Sequence, residues 1–126
     1  MAAQVMIVDD EQGIRDVVTR CLSDYGMDVV AARDGRECIE AIKNGFIGIL
    51  LLDINMPGMN GWDTIREIIK LQYTERVLII LLTTVTSATE AEEELKGYVL
   101  DYIPKPADIH NMAVAVKQYL RYFKNQ

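Results

Sequence analysis

Along this chain, short runs of uninterrupted apolar residues alternate with stretches in which apolar positions recur at helical spacing. The runs at 5–8, 47–52 and 77–82 are rich in Val, Ile and Leu without polar alternation, as expected of parallel strands covered on both faces. Between and after them the period lengthens. Ile14, Val17, Val18, Cys21, Leu22 and Tyr25 fall at i, i+3, i+4, i+7, i+8 and i+11, and Ile109, Met112, Ala113, Val116, Leu120 and Phe123 make a similar stripe, the mark of a helix packed on a sheet.

Filling the gaps predicts strands near 4–8, 28–32, 47–52, 77–82 and 100–103, and helices near 12–25, 35–44, 61–71, 88–96 and 107–123. Gly26, Gly45 and Gly97 fall just after helical stretches, where a left-handed closing residue suits glycine. Five successive βα units imply an α/β fold, a parallel sheet with helices on both faces joined by right-handed crossovers. The expected arrangement is a doubly wound five-stranded parallel sheet in the order 2-1-3-4-5, a flavodoxin-like (βα)5 fold. The helix over 88–96 is the weakest of the set, with Ala88, Ala91 and Leu95 as a thin apolar stripe beside Glu90, Glu92, Glu93 and Glu94. It is expected to be loosely held or to face a partner. The sequence has no internal repeat beyond the βα period and no linker rich in Pro, Ser or Gly, so a single domain over 1–126 is expected.

Composition narrows the function classes. The 126 residues are 50% hydrophobic and 25% charged, with a mean hydropathy of +0.07, enough for one core without disulfide or metal staples. Thirteen Lys and Arg against nineteen Asp and Glu leave a net charge of -6, which repels phosphate backbones and anionic membranes. No direct nucleic-acid contact and no membrane insertion are therefore expected. Cys21 and Cys38 have neither metal-ligand spacing nor a secreted framework and read as buried free thiols of a cytoplasmic protein. The apolar runs are far shorter than the ~20 residues of a membrane helix, and 1–3 is no signal peptide. Met1 and the closing stretch 120–126 favour a stand-alone or short-tailed protein.

The chemistry gathers at strand ends. Asp9, Asp10 and Glu11 follow the first strand at once, and Asp53 follows the third. In the order 2-1-3 those strands are neighbours, so Asp9, Asp10 and Asp53 converge at the carboxyl edge of the sheet, where open α/β folds bind ligands. Carboxylates so close repel one another, and a hard cation such as Mg²⁺, held by one or two carboxylates with several waters, removes the repulsion. The plainer alternative makes each Asp a cap of the following helix. That explains one acid at each junction, but not two consecutive acids after one strand and a third beside them. Thr83-Thr84 closes strand four and Lys105-Pro106 follows strand five. A hydroxyl and an ammonium thus join the acids, a set suited to a phosphoryl group.

These motifs resemble the receiver domains of two-component response regulators over essentially the whole chain. The stretch 5–11 (VMIVDDE) looks like the family's first strand and acidic pair, and 51–61 (LLDINMPGMNG) like its phosphoacceptor strand and loop. Thr83 and 102–106 (YIPKP) resemble the switch threonine, the switch aromatic and the lysine segment, with the usual spacing of 22 from Thr83 to Lys105. The resemblance implies a chemotaxis-regulator-like switch whose own catalysis extends only to phosphoryl transfer and dephosphorylation. Asp53 would accept a phosphoryl group from a histidine kinase or histidine phosphotransfer protein, forming an acyl phosphate. Asp10, Asp53 and the Asn55 carbonyl would ligate Mg²⁺, with Asp9 acting mainly through a bound water. Lys105 would pair with phosphoryl oxygens, Thr83 would swing in to bond one, and Tyr102 would turn inward. The surface of the fourth predicted helix, fifth strand and fifth helix would then change and control a downstream effector protein. A cis peptide between Lys105 and Pro106 is implied as well. Thr84 and Val99-Leu100 depart from the family pattern, which prefers a small residue after the threonine and often carries Gly-Ala in strand five.

Two other classes share the architecture. A Mg²⁺-dependent phosphohydrolase with an Asp nucleophile carries a second Asp two residues on, where this chain has Asn55. A flavodoxin-type electron carrier needs a Ser/Thr/Gly-rich phosphate loop after strand one, where this chain has Asp-Asp-Glu.

Overall fold

The computed structural model describes residues 4–83, 93–105 and 108–125. Strands β1 (Gln4–Val8), β2 (Val29–Ala32), β3 (Gly48–Asp53), β4 (Val77–Thr83) and β5 (Val99–Pro104) alternate with helices α1 (Gln12–Asp24), α2 (Gly35–Lys43), α3 (Gly61–Lys70) and α4 (Ile109–Lys124). A short 3-10 helix, Glu93–Tyr98, leads into β5. All strand pairs are parallel and the order is β2-β1-β3-β4-β5, as the βα alternation predicts.

One element differs. Of the helix predicted over 88–96, residues up to 92 lie outside the described residues, as do Thr84 and Pro106, and the described part is 3-10 rather than α. Within it Leu95 is buried, whereas Glu94, Lys96, Gly97 and Tyr98 are exposed, so one apolar side chain anchors these residues.

The uninterrupted apolar runs are explained by two cores, one on each side of the sheet. Met6 and Val8, Leu50 and Leu52, and Ile79 and Leu81 face α2 and α3, packing on Ile42, Trp62, Ile65 and Ile68. The alternate residues Val5 and Ile7, Ile49 and Leu51, and Ile80 and Leu82 face α1 and α4, packing on Leu22, Met112, Val116 and Leu120. Every residue of β3 is buried. Cys38 lies wholly inside, its thiol pushed up to about 12 by burial, whereas Cys21, expected to be buried, is half-buried.

At the sheet edge the pattern changes. Val99 pairs with Ile79 and Asp101 with Ile80, which leaves Leu100 as the extra residue of a β-bulge. The bulge reverses the faces along β5, since Val99 packs on the α2/α3 core and Ile103 on the α1/α4 core.

Local signals set the helix starts. Asp34 accepts from the Glu37 N–H at 2.8 Å, Asn60 and Asp63 make a reciprocal capping box, and Asp108 accepts from the His110 and Asn111 N–H groups. Gly48 opens β3 with φ +145°, and a Cβ there would fall on the backbone of Gln4. Only glycine lets β1 and β3 start in register.

A pair of glycine variants checks this reading. Gly48→Ala is expected to destabilise the fold by about 3 kcal/mol, combining an unfavourable φ with a backbone overlap. Gly13→Ala, in α1 with nothing within 4 Å of an added Cβ, is expected to be neutral or stabilising by up to about 1 kcal/mol. Denaturant midpoints measure both, and equal effects would show that the Gly48 contact is not limiting.

Candidate functional site

Strand register builds the site. Val8 pairs with Leu52 across β1 and β3, so the next residue on each strand, Asp9 and Asp53, stand side by side at the carboxyl edge. Both strands end in the same kind of turn. The Glu11 N–H donates to Asp9 Oδ1 at 3.0 Å, and the Asn55 N–H donates to Asp53 Oδ1 at 3.1 Å, a local bond that turns the chain back over the carboxylate. Asp9 and Asp53 are buried, at 0% and 2% exposure, and Asp10 is exposed. Oxygen atoms of all three lie within 4.8 Å of one another. None caps a helix: the N-cap of α1 is Glu11, without a side-chain cap bond, and that of α3 is Asn60.

Lys105 comes to the acids from the far side of β4. Its N–H donates to the Thr83 carbonyl at 2.6 Å, which fixes the start of its side chain. Its Nζ then lies 2.8 Å from Asp9 Oδ2 and 3.4 Å from Asp53 Oδ2. Behind the acids the loop after β3 is packed tightly. The Gly61 N–H donates to the Ile54 carbonyl at 2.9 Å, and a Cβ on Gly61 would lie 2.8 Å from the Asp53 carbonyl. α3 can approach the Asp53 backbone this closely only with glycine at its first position.

Burial pushes the Asp53 carboxyl up to about 6, helped by the charge of Asp9 and opposed by Lys105 and the Asn55 N–H. For Lys105, burial alone would lower the ammonium, but the hydrogen bond to Asp9 and the charges of Asp53 and Asp9 outweigh it and hold the group above its ordinary value. Among the described residues, three carboxylates thus face one ammonium. Hard oxygen donors with a deficit of positive charge fit a divalent cation of the Mg²⁺ kind.

The structure brings Asp9, Asp10, Asp53 and Lys105 together as predicted, with Asn55 in the turn beside Asp53. Thr83 closes β4 at the same edge, buried at 5% exposure. Tyr102 pairs with Leu81, two residues before Thr83 on the same face of the sheet, and the residue is 39% exposed. Two contributors went unseen in the sequence. Arg15 Nη1 donates to the Asp9 carbonyl at 2.8 Å, and Gly61 permits the approach of α3. Arg15 lies on the first turn of a helix whose other charged residues face solvent, so only its position six residues after Asp9 hinted at it.

Residues 5–117 match the response regulator receiver domain. The chain belongs to that family. This receiver domain is 39% identical, with a TM-score of 0.93 and 100% coverage of both chains, to a CheY-like response regulator receiver domain protein from Methanospirillum hungatei. It is 30% identical over 122 residues to the DNA-binding transcriptional regulator NtrC of Escherichia coli, covering 97% of this chain and 26% of NtrC. NtrX from Brucella abortus superposes with a TM-score of 0.83 at 28% identity, over 99% of this chain and 28% of that one. The receiver domain therefore spans about a quarter of the length of the curated relatives it matches. Phosphorylation and Mg²⁺ are general features of the family.

The raised Asp53 carboxyl has a consequence for stability. With a folded value of about 6 against an ordinary 3.8, Asp53 favours the folded state at acid pH, and that contribution is lost as pH rises through about 6. The ionised group therefore costs stability at neutral pH. In metal-free buffer, Asp53→Asn is expected to stabilise the fold at pH 7.5 by about 2 kcal/mol, with the difference disappearing near pH 4. Chemical denaturation across that range measures it, and a destabilised variant at pH 7.5 would contradict the electrostatic account.

Proposed function

We propose that this receiver domain is a phosphorylation-dependent signalling switch in which Asp53 takes a phosphoryl group from the phosphohistidine of a histidine kinase or histidine phosphotransfer protein. The observation that carries the reading is Lys105 Nζ, seated 2.8 Å from Asp9 and 3.4 Å from Asp53 at the mouth of a buried acidic pair. Asp53 Oδ1 is held by the Asn55 N–H and Oδ2 faces the ammonium. Attack by a carboxylate oxygen of Asp53 forms an oxygen–phosphorus bond as the phosphorus–nitrogen bond of the donor breaks, and the imidazole leaves with the electron pair. Lys105 is placed to follow the charge from carboxylate to phosphoryl oxygen. Mg²⁺, held by Asp10, Asp53 and the Asn55 carbonyl with Asp9 acting through a bound water, would supply the remaining neutralisation of the phosphoryl oxygens.

The switch half of the proposal rests on Thr83 and Tyr102. The Thr83 hydroxyl donates to a phosphoryl oxygen, and Tyr102 turns inward along the face it shares with Thr83. The surface made by the 3-10 helix, β5 and α4 changes with it, and a downstream effector protein reads that surface. We place this switch in a single receiver domain over 1–126 and in the cytoplasm. No helix among the described residues is long and apolar enough to cross a membrane.

Incubation with acetyl phosphate and Mg²⁺ is expected to give a single acyl phosphate by intact mass, absent in Asp53→Asn and without Mg²⁺. Stoichiometric labelling that survives Asp53→Asn would overturn the assignment. Asp10→Ala is expected to weaken Mg²⁺ binding, measured by calorimetry, by roughly tenfold or more, because a site with few protein ligands depends on each.

A variant separates chemistry from switching. Thr83→Ala is expected to leave labelling of Asp53 largely intact while abolishing the beryllofluoride-induced amide shift of Tyr102. Equal Tyr102 shifts in wild type and variant would remove Thr83 from the coupling.

A further inference from the structure

Behind Tyr102, β5 is tied to α4 by one carboxylate. Asp101 Oδ2 accepts the Tyr119 hydroxyl at 2.7 Å, and Asp101 Oδ1 accepts the backbone N–H of Tyr102 at 2.8 Å. The bulge makes this contact possible. With Leu100 as the extra residue, Asp101 leaves the face that Val99 occupies and turns toward α4, where Tyr119 lies among the residues packed on the second core. The hydrogen bond to Asp101 is the main reason that the Tyr119 phenol is held above its ordinary value.

We infer that Tyr119, acting through Asp101, is a positioning residue that holds Tyr102 in its outward setting and so sets how readily the switch is thrown. The inference rests on the reading of Tyr102 as the moving aromatic. A side chain bonded to the N–H of the next residue fixes the backbone between them, and the rotamers open to a tyrosine depend on its backbone. Asp101 would be a weak tether alone, because a half-buried aspartate on an edge strand swings freely. Tyr119 removes that freedom, since its ring is packed against the α1/α4 core and its hydroxyl ends on the carboxylate. The chain from α4 to Tyr102 therefore has no slack: packed ring, hydroxyl, carboxylate, backbone N–H. Bringing Tyr102 inward strains or opens this clasp, so the clasp stabilises the resting arrangement and loosening it shifts the population toward the active one.

The test compares wild type, Tyr119→Phe and Asp101→Asn in a beryllofluoride titration with Mg²⁺, read at the Thr83 amide, which touches neither clasp residue. Tyr119→Phe removes only the hydroxyl, and the midpoint is expected to fall roughly fivefold to tenfold, the scale of one hydrogen bond to a carboxylate. The resting Thr83 resonance is expected to move toward its beryllofluoride-bound position. Asp101→Asn keeps an oxygen for the Tyr102 N–H and an amide N–H for the Tyr119 oxygen, so it is expected to stay within about twofold of wild type. A merely structural contact would lower thermal stability in Tyr119→Phe without moving the midpoint, and an unchanged or raised midpoint overturns the inference. If Tyr119→Phe does not fold, Asp101→Ala, which removes both acceptors, is read against the same expectations. Wild type that fails to bind beryllofluoride would instead refute the phosphoacceptor reading of Asp53.

Discussion

Two carboxylates are buried side by side at the end of a parallel sheet, and one ammonium stands between them. That imbalance is the constraint to which the rest of this molecule answers. Asp9 has every polar group engaged: N–H to the Ala32 carbonyl, carbonyl to Arg15, one carboxylate oxygen to Glu11 and the other to Lys105. Asp53 has the Asn55 N–H and a longer approach from Lys105. In the proposed function the less satisfied of the two buried acids is the one that reacts, because a new bond to phosphorus would replace an ionisation that the site supports poorly. Saturation of Asp9 and under-saturation of Asp53 divide the roles of two residues that look alike in the sequence.

The sheet creates this arrangement by leaving the acids no alternative position. β1 and β3 are covered on both faces, so their side chains alternate between two cores up to the last residue, and Asp9 and Asp53 are the first positions where the chain can leave the sheet. Their parity places them on the side of α1 and α4, the side from which Lys105 also arrives after the β5 bulge. Were β5 regular, the face that Val99 takes would continue through Asp101 and Ile103, and Lys105 would be aimed at the other core. The local irregularity in the edge strand is therefore part of the site, although it lies several residues from it.

Much of this was legible in the sequence because it depends on patterns that survive without a partner element. The uninterrupted runs at 47–52 and 77–82 require two covered faces, and with helices between them the order β2-β1-β3-β4-β5 and the meeting of Asp9, Asp10 and Asp53 follow. What escaped depends on contacts between distant elements. The bulge at Leu100 leaves no trace in composition, because Val99 and Leu100 are equally apolar and only the pairing of each with β4 distinguishes them. Arg15 reads as one more polar residue on an amphipathic helix until the Asp9 carbonyl is seen in front of it. The end of the helix predicted over 88–96 shows the opposite failure: Glu94 and Lys96 have good helical propensity, but the described residues 93–96 are 3-10, with Leu95 as their buried side chain, and packing decides the outcome in short helices.

Charge and conformation are joined here through a single residue. Lys105 puts its ammonium between Asp9 and Asp53 and its backbone N–H on the Thr83 carbonyl, so the group that senses charge at the acids is covalently part of the strand end beside Thr83. A phosphoryl group on Asp53 would give the ammonium new oxygens to follow, and any shift of Lys105 is felt at once in the β4–β5 pairing that ends with Thr83 and Pro104. Tyr102 is three residues upstream on that same strand, tied from behind through Asp101 and Tyr119. β5 is thus held at one end by the chemistry and near its middle by the clasp to α4. A short edge strand fastened at both places can pass a change of charge to the exposed aromatic only by changing its own backbone setting. On the function proposed above, this is the physical reason that a bulged, half-exposed strand, and not the fully buried β3, would form the moving part.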